Sequence, residues 1–404
     1  MTQATLAAHA ARPTDVRIIT LVGAAHFVSH VYILALPPLF PFVRADFGVT
    51  YTQLGVAIAL FNVAGFLQMP AGFLVDRFSA RAVLIGGLLI GAASLVGAAL
   101  VSSFYLFVAM YAALGVANAT YHPADYALLS GRVSPARMSQ AYSIHLFAGF
   151  SGTAAAPATL LILAASFGWR GAFLVAAALG FAVAAILFLF GGVMAGRDPT
   201  RIKEKETGKK RTDSRILFTA PVLLSLCFYM LLAMMNGLHI YGIVALEALW
   251  GTSLSLATTA ITVSLAMMAF AVLIGGWISA KTERHDVVAV IGLALSGIML
   301  VPVAFFDLGA AALIGFMGLS GFFNGLLQPS RDMIVRAITP PGAFGRVFGF
   351  VTTGFNIGGV IAPLIFGYLM DHGQPRLVIL GVAFCALISI PTVMITVAQR
   401  AKKT

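Results

Sequence analysis

The chain has 404 residues, of which 60% are hydrophobic and only 10% are charged, and its mean hydropathy is +0.97. Because about a quarter of the residues of a soluble domain carry charge, this composition excludes an ordinary water-soluble globular protein. The net charge of +11 rests on few residues, so its meaning depends on where the basic residues lie along the chain.

Apolar stretches follow one another along the chain, separated by short turns that contain polar residues, proline or glycine. A membrane-spanning helix needs about 20 such residues. The stretches are continuously apolar and do not alternate, which favours helices over a transmembrane barrel. The sequence therefore predicts an all-α, polytopic membrane protein with twelve transmembrane helices, at residues 18–43, 51–75, 82–102, 104–131, 138–166, 169–195, 217–246, 253–280, 286–306, 309–337, 345–370 and 376–399.

The positions of the basic residues predict the orientation in the membrane. Residues 1–17 are polar and lack the pattern of a cleaved signal peptide, so we expect a retained tail. With both termini in the cytoplasm, 21 of the 25 Lys and Arg residues fall on the cytoplasmic side, as the positive-inside rule requires. Of the others, Arg331 lies within a helix and three lie outside: Arg44, Arg170 and Arg376. The charge thus indicates a multi-pass protein of the cell inner (plasma) membrane and not nucleic-acid binding.

A charged segment, GRDPTRIKEKETGKKRTDSR, lies near the middle of the chain and has the composition of a solvated linker. It divides the chain into two predicted six-helix bundles. The predicted organisation is a cytoplasmic tail (1–17), an N-terminal bundle (18–196), a cytoplasmic linker (197–216), a C-terminal bundle (217–399) and a second tail (400–404). Since one chain contains both bundles, a monomer is expected.

Residues with special backbone roles recur at a spacing of 206 in the two halves. The pairs are Gly115 and Gly321, Asn118 and Asn324, Pro123 and Pro329, Pro135 and Pro341, Gly152 and Gly358, Pro157 and Pro363, and Arg170 and Arg376. So many matches at one offset exceed chance pairing, and they indicate two pseudo-symmetric halves. Parallel six-helix repeats with a solute site between them are a known transporter architecture.

The loop between helices 2 and 3 contains Gly72, Asp76, Arg77 and Arg81. This spacing resembles the signature G-x-x-x-D-R-x-x-x-R of the major facilitator superfamily, and the resemblance covers nearly the whole chain. It implies alternating access, with these four residues forming a gate at the cytoplasmic helix ends, because charge pairs with two arrangements make a switch. A merely solvated basic loop is the alternative. The corresponding segment 276–285 lacks the aspartate, so we assign the gate to the first copy.

Residues in helices 1, 4 and 5 are similar to those of the fosmidomycin-resistance group of exporters. They are Ser29, His30, Tyr121, His122, Pro123, Ala141, Ser143, Ile144, Gly149, Gly152 and Pro157. The resemblance implies proton-coupled transport and places these helices against the cavity. Asp125 stands where a glutamate is usual in that group. The glycines and prolines indicate either close helix packing or an exporter-type hinge.

Ionisable residues within predicted helices indicate an ion or substrate path, because they are costly in lipid. At about 1.5 Å per residue, five of them lie roughly 10 to 20 Å from the cytoplasmic helix ends. Asp125 with His122 is the predicted proton site, since these residues share a helix face. The predicted substrate or relay residues beside them are His26, His30, Tyr142 and His145. The alternative is a structural ion pair of Asp125 with Arg132 or with the Arg77 loop.

The second half supplies further candidate substrate contacts, which are Asn236, His239, Asn324, Gln328, Arg331 and Asn356. Arg331 is the clear intramembrane cation. Its guanidinium group fits a carboxylate or phosphonate through two parallel hydrogen bonds. The competing interpretation is neutralisation by Asp332 or Asp125.

Several other functions find no support in the sequence. It contains no nucleotide-binding loop, so direct use of ATP is not expected, and we expect no cofactor. No metal-ligand spacing is present, and Cys227 and Cys385 are predicted to be free thiols inside helices. An enzyme is therefore not expected.

The sequence predicts a secondary transporter whose partners are protons, a small-molecule substrate and the lipid bilayer. Export of a small amphipathic or anionic compound by proton antiport is the leading hypothesis. A proton symporter that imports a small organic acid is the alternative, because the same fold and proton site serve either direction. A non-transporting membrane receptor of transporter fold is the hypothesis of another class.

Overall fold

The structure is a computed structural model that describes residues 13–194, 214–340 and 343–401. All regular structure within these ranges is helical. Numbered along the described chain, the helices are α1 Pro13–Ile33, α2 Phe40–Phe47, α3 Tyr51–Val63, α4 Gln68–Arg77, α5 Ala80–Leu100, α6 Phe104–Arg132, α7 Met138–Phe190, α8 Ala220–Met235, α9 Gly237–Trp250, α10 Leu254–Lys281, α11 His285–Phe305, α12 Ala310–Ile338, α13 Phe344–Asp371 and α14 Pro375–Ala401. Most of the predicted linker 197–216 and the outermost parts of both predicted tails lie outside the described residues.

Eleven segments of the described chain are long and apolar enough to cross a membrane. One of them, Gln140–Met194, contains 55 residues. At about 1.5 Å per residue it is roughly 80 Å long, enough for two crossings of a hydrocarbon core about 30 Å thick. Gly168 interrupts it with φ 69° and ψ 167°, a conformation that essentially only glycine adopts. The prediction of an all-α protein with twelve transmembrane helices is confirmed, and the observed ends differ from the predicted ones by about a helical turn at most.

The first membrane segment is a broken helix. Pro37 and Pro38 follow α1 and form a short 3-10 turn before α2 begins at Phe40. Proline has no N–H to donate, so two consecutive prolines interrupt the helical hydrogen-bond ladder. The break lies seven residues beyond His30 and separates the part of this segment that carries the histidines from the part that carries Arg44.

Contacts divide the described residues into two compact units. Unit 1 takes its residues from Met1–Ala35, Ala64–Ala156 and Leu163–Gly208, and unit 2 from Leu36–Val63, Pro157–Ile162 and Lys209–Thr404. These units are defined by which residues contact one another, whereas the predicted six-helix halves are defined by the sequence repeat. The division into halves at 197–216 therefore remains a prediction.

Within unit 1, two side chains tie the membrane segments together. The buried hydroxyl of Tyr32 donates a hydrogen bond to the carbonyl of Ala176, at 3.1 Å. The guanidinium group of Arg170 donates to the carbonyls of Ala99 and Val101, at 2.7 and 2.8 Å, where α5 ends. The last carbonyls of a helix have no partner in the helix itself, so Arg170 satisfies them.

Unit 2 contains a related arrangement around Arg376, the residue that corresponds to Arg170 at the spacing of 206. Its guanidinium carbon lies 5.7 Å from the ring centre of Phe305, at the end of α11. Phe305 itself corresponds to Ala99 at the same spacing. Both arginines thus contact the end of the equivalent helix in their own unit, which supports the predicted repeat.

Glycines of the predicted fifth and eleventh membrane helices are sites of close helix packing. A Cβ atom at Gly152 would lie 2.3 Å from the carbonyl oxygen of Phe27, and one at Gly358 would lie 2.2 Å from that of Met230. Each contact lies inside a single unit. Since backbone atoms cannot move aside as a flexible side chain does, these positions accept only glycine without a shift of a helix.

We expect Gly152→Ala to lower the free energy of unfolding by about 1 to 3 kcal/mol, because the added methyl group overpacks the contact with α1. Gly86→Ala is the matched control, since a Cβ atom there meets nothing within 4 Å. The measurement is the denaturation midpoint of the purified protein in detergent micelles. Equal midpoints for the two variants would contradict the packing role of Gly152.

Candidate functional site

Five predicted site residues converge in unit 1. His26 and His30 lie one turn apart on α1, His122 and Asp125 lie on α6, and His145 lies in the first part of α7. The ring centre of His26 is 4.5 Å from that of His30, 5.2 Å from that of His122 and 3.7 Å from that of His145. We call these five residues the histidine–aspartate cluster. Their similar predicted depth in three helices anticipated the grouping.

The carboxylate of Asp125 is fully buried in this cluster. Its Oδ2 atom lies 3.3 Å from Nδ1 of His26 and 4.0 Å from Nδ1 of His145. The pairing of Asp125 with His122 as the proton site remains a prediction, and the His122 ring stacks on that of Tyr126, with ring centres 5.8 Å apart. The imidazoles nearest the carboxylate thus come from two other helices, which spacing along α6 could not reveal.

Six polar atoms of the cluster make no hydrogen bond within the described part of the chain. They are both carboxylate oxygens of Asp125, Nδ1 of His26, Nδ1 of His122 and both ring nitrogens of His145. A buried polar group without a hydrogen bond costs about 1 to 3 kcal/mol. Six buried polar atoms without hydrogen bonds in one cluster do not stabilise the fold. Their presence is therefore evidence that the cluster binds something.

Neither arginine suggested as a structural partner of Asp125 contacts it. Among the residues that the structure describes, the ion-pair contacts of Asp125 are with His26 and His145. Arg132 has a buried Nη2 atom without a hydrogen bond. Arg77 is exposed, with its guanidinium carbon 5.7 Å from the ring centre of Phe78. The described residues thus give Asp125 histidine neighbours and no arginine partner.

Small residues of α7 make room for the cluster and fix one of its rings. A Cβ atom at Gly149 would lie 2.6 Å from Nε2 of His26 and 2.9 Å from Nε2 of His30. One turn further along, the hydroxyl of Thr153 lies 2.7 Å from Nδ1 of His30. Sequence reasoning missed Thr153, although its position one turn after Gly149, on the same helix face, was a usable signal.

Two tyrosines lie on one side of the cluster. The ring centre of Tyr126 lies 5.5 Å from that of His145 and 5.6 Å from that of Tyr142. Tyr126 is 46% exposed. Tyr142, a predicted substrate contact, is thus next to the cluster through Tyr126.

A second polar network surrounds Arg331 in unit 2. The Nε atom of Arg331 donates to Oδ1 of Asp332 at 2.8 Å, and its Nη1 atom donates to Gln328. Gln328 in turn donates to Asn324 at 2.9 Å. The network thus joins three of the predicted substrate contacts, and it contains the pairing with Asp332 that was the competing interpretation of Arg331.

Aromatic rings complete the environment of Arg331. Its guanidinium carbon lies 4.8 Å from the ring centre of Tyr229 and 5.1 Å from that of Phe355. The hydroxyl of Tyr229 also donates to Asp332 at 2.6 Å. The Asp332 side chain remains 49% exposed, against 14% for Arg331. The carboxylate is therefore the partner that solvent, or an incoming anion, can replace.

Three further candidates of the second half stay apart from this network. Asn236 is exposed at the junction of α8 and α9, His239 is buried in α9, and Asn356 is half-buried in α13. Within the described ranges, none of them makes a hydrogen bond to Arg331 or its partners. Their predicted contact with a substrate remains a prediction.

The predicted gate residues lie where α4 ends and α5 begins. Asp76 and Arg77 are exposed, and a Cβ atom at Gly72 would meet nothing within 4 Å. Arg81 donates hydrogen bonds to the carbonyl of Leu187, at 3.2 and 3.1 Å, and to that of Phe188, at 2.5 Å. Arg81 thus anchors the first turn of α5 to the end of α7.

A contact that the sequence did not predict joins the start of α3 to the end of α13, within unit 2. It lies at the end of the second membrane segment that is opposite to the predicted gate. The carboxylate of Asp371, the last residue of α13, accepts hydrogen bonds from the backbone N–H groups of Tyr51 and Thr52, both at 2.8 Å. It also accepts one from the Thr52 hydroxyl at 2.5 Å. Asp371 thus caps the start of α3, where unpaired N–H groups and the helix dipole favour a negative charge.

Comparison with known proteins gives three consistent results. A family model described as the Major Facilitator Superfamily matches residues 22–249 and 233–404. The chain is 25% identical over 381 residues to the probable sulfoacetate transporter SauU of Cupriavidus necator, covering 88% of this chain and 87% of the relative. It is 24% identical over 396 residues to the fosmidomycin resistance protein of Escherichia coli, covering 95% and 93%.

Solved structures share the fold at low sequence identity. A bacterial homolog of the human lysosomal transporter Spinster, in an inward-facing and occupied conformation, matches with a TM-score of 0.79 at 14% identity, covering 96% of this chain and 98% of the other. The nucleoside transporter NupG matches with a TM-score of 0.76 at 14% identity, covering 95% and 99%.

Proposed function

Since the chain belongs to the major facilitator superfamily, we propose that it is a proton-coupled secondary transporter that exports a small anionic or amphipathic compound by alternating access. In this proposal the protein spans the cell inner membrane with both termini in the cytoplasm and works as a monomer. The observation that carries the proposal is the buried contact of Asp125 with His26 and His145. A carboxylate and imidazoles with free lone pairs are the groups that exchange protons in transporters.

The position of this cluster supports proton coupling. Its imidazoles and its carboxylate lie on α1, α6 and α7, which are the helices that carry the resemblance to exporters. Two imidazoles lie beside the Asp125 carboxylate, His26 from α1 and His145 from α7, and the rings of His30 and His122 lie next to that of His26. A proton bound here changes the charge of the cluster, and coupling requires that the two conformations of the transporter bind this proton with different affinities. That difference is what couples a gradient to transport.

An anionic substrate is supported by the network around Arg331. Its guanidinium group is held by two aromatic rings and by a carboxylate that is half exposed. The names of two relatives, a probable sulfoacetate transporter and a fosmidomycin resistance protein, refer to compounds with anionic groups. We therefore propose that a sulfonate, phosphonate or carboxylate displaces Asp332 from Arg331.

Transport in vesicles tests the proposal. Everted and right-side-out membrane vesicles that contain the protein are given an imposed pH gradient and a panel of labelled organic sulfonates, phosphonates and carboxylates. Gradient-driven accumulation in everted vesicles supports export by antiport. Accumulation confined to right-side-out vesicles supports the symporter of small organic acids. No gradient-driven movement of any compound would contradict coupled transport.

Asp371 joins the end of α13 to the start of α3 through its hydrogen bonds to Tyr51 and Thr52. We expect Asp371→Ala to favour a conformation in which these two helix ends separate. Removing a capping group costs about 1 kcal/mol, which changes the ratio of two conformations roughly fivefold. The measurement is the distance distribution between spin labels at Gln53 and His372. Asp307→Ala, in an exposed turn, is the control and is expected to leave the distribution unchanged. An unchanged distribution in Asp371→Ala would show that this contact does not help to hold the two segments together.

A further inference from the structure

Three imidazoles of the histidine–aspartate cluster are arranged as a set of metal ligands. One ring nitrogen from each of His26, His122 and His145 can be chosen so that all three lie within 4.8 Å of one another. The Oδ2 atom of Asp125 lies 3.3 Å and 4.0 Å from the Nδ1 atoms of His26 and His145. Three potential ligand atoms therefore lie close together, and the Asp125 carboxylate lies beside two of the three rings.

The chemistry of these atoms indicates the class of ion. Imidazole nitrogens and a carboxylate suit Zn²⁺ and its first-row neighbours, whereas Mg²⁺ and Ca²⁺ prefer sites built from oxygen. In a tetrahedral Zn²⁺ site with bonds of about 2.0 to 2.1 Å, the ligand atoms lie roughly 3.4 Å apart. The His26 to Asp125 distance is already near this value, and the wider separations must shorten before these atoms can bind one ion.

The ring positions show which movement is needed. His26 and His145 are stacked, with ring planes 23° apart, so their lone pairs run side by side. One of the two rings must tilt for both to bind the same ion. Both nitrogens of His145 lack a hydrogen bond, so turning this ring breaks none in the described structure. His30 is held by Thr153 and remains outside the ligand set.

Because the ligand atoms are buried, a bound ion would stabilise the cluster. His26, His145 and Asp125 are almost completely buried, and their ligand atoms have no hydrogen bonds among the described residues. A divalent ion satisfies these atoms at once and neutralises the carboxylate. His122 is half-buried, and its ring stacks on that of Tyr126, which is 46% exposed.

We propose that His26, His122, His145 and Asp125 form a binding site for one divalent transition-metal ion of the Zn²⁺ type, and that the bound ion blocks proton-coupled transport. The sequence predicted no metal site because the ligands come from three helices and show no spacing pattern along the chain. The proposal that an ion binds rests on the positions of the histidine nitrogens and the Asp125 carboxylate. Inhibition rests on the proposed function, because the ion occupies the lone pairs that would exchange protons.

Binding is tested on the purified full-length protein in lipid nanodiscs, with Zn²⁺ titrated in competition with a coloured chelator. We expect one equivalent to bind tightly. We also expect Co²⁺ to give the intense visible absorption of a tetrahedral site, and X-ray absorption to show a nitrogen and oxygen shell near 2.0 to 2.1 Å. His145→Gln and His26→Gln should each weaken binding by at least about tenfold. His372→Gln and His285→Gln are controls from outside the cluster and should bind as the wild type does.

Three results would overturn the proposal in distinguishable ways. Absence of stoichiometric binding by the wild type, or equal binding by the His145→Gln variant and the controls, would remove the site. Binding without loss of gradient-driven transport would remove the inhibition. Gradient-driven transport by a wild type that binds no Zn²⁺ would leave the proposed function intact. Thermal unfolding of each variant shows whether a loss of binding comes from misfolding, and the Co²⁺ spectrum of the wild type needs no variant.

Discussion

Asp125→Asn is expected to reduce gradient-driven transport to the level of protein-free liposomes. Asparagine keeps the shape of the side chain but cannot bind and release a proton in the way that a carboxylate does. The rest of the transport path is unchanged, so exchange of labelled for unlabelled substrate without a gradient should continue. The comparison of these two assays on the same proteoliposomes isolates coupling from substrate binding.

Folding should survive this substitution. The Asp125 carboxylate is fully buried and makes no hydrogen bond within the described chain, so its replacement breaks none and removes the cost of burying a charge. Asp307→Asn changes an exposed carboxylate in a turn and is the matched control, with coupling expected to be normal. If the Asp125→Asn variant accumulated substrate against its gradient as the wild type does, Asp125 would not be the proton site.

The fold was predictable because its signal is distributed over the whole chain. Each membrane helix needs only a continuous apolar stretch of sufficient length, and twelve such stretches are present. The break in α7 is an instructive case. Hydropathy indicated two helices at 138–166 and 169–195, and the structure separates them at Gly168, where the backbone adopts a conformation suited to glycine.

The candidate site was predictable as a group of residues but not as a set of contacts. Depth along each helix follows from counting residues, and it placed the five cluster residues in one band. Which side chains touch depends on how the helices are rotated and packed. The partners of Asp125, for that reason, were not derivable from the positions of His122 and Asp125 on one helix.

Contacts far apart in sequence escaped prediction for the same reason. Asp371 lies 320 residues from Tyr51, and neither residue belongs to a recognisable motif. An aspartate at the end of a helix looks like an ordinary solvated residue. Only the structure shows that its carboxylate meets the first N–H groups of α3, where it acts as a cap supplied by another part of the chain.

Arg331→Gln is expected to raise the half-saturating concentration of an anionic substrate roughly tenfold to a hundredfold. A hydrogen bond to a charged partner contributes about 1.5 to 3 kcal/mol, and glutamine keeps a polar group but loses the charge. Arg331→Lys should recover only part of the affinity, because an ammonium group cannot form the two parallel hydrogen bonds of a guanidinium group. Initial rates of exchange at graded substrate concentrations give the half-saturating values.

Asp332→Asn separates substrate binding from a purely structural role of Arg331. If Arg331 binds the substrate, loss of the competing carboxylate should leave the affinity equal or increase it, because the anion no longer displaces an ionic partner from the guanidinium group. If Arg331 serves only to pair with Asp332, both substitutions should lower stability alike and neither should change affinity selectively. Arg336→Gln, an exposed arginine of the same helix, is the control for loss of positive charge. Opposite effects of Arg331→Gln and Asp332→Asn on affinity would therefore identify Arg331 as an anion-binding residue.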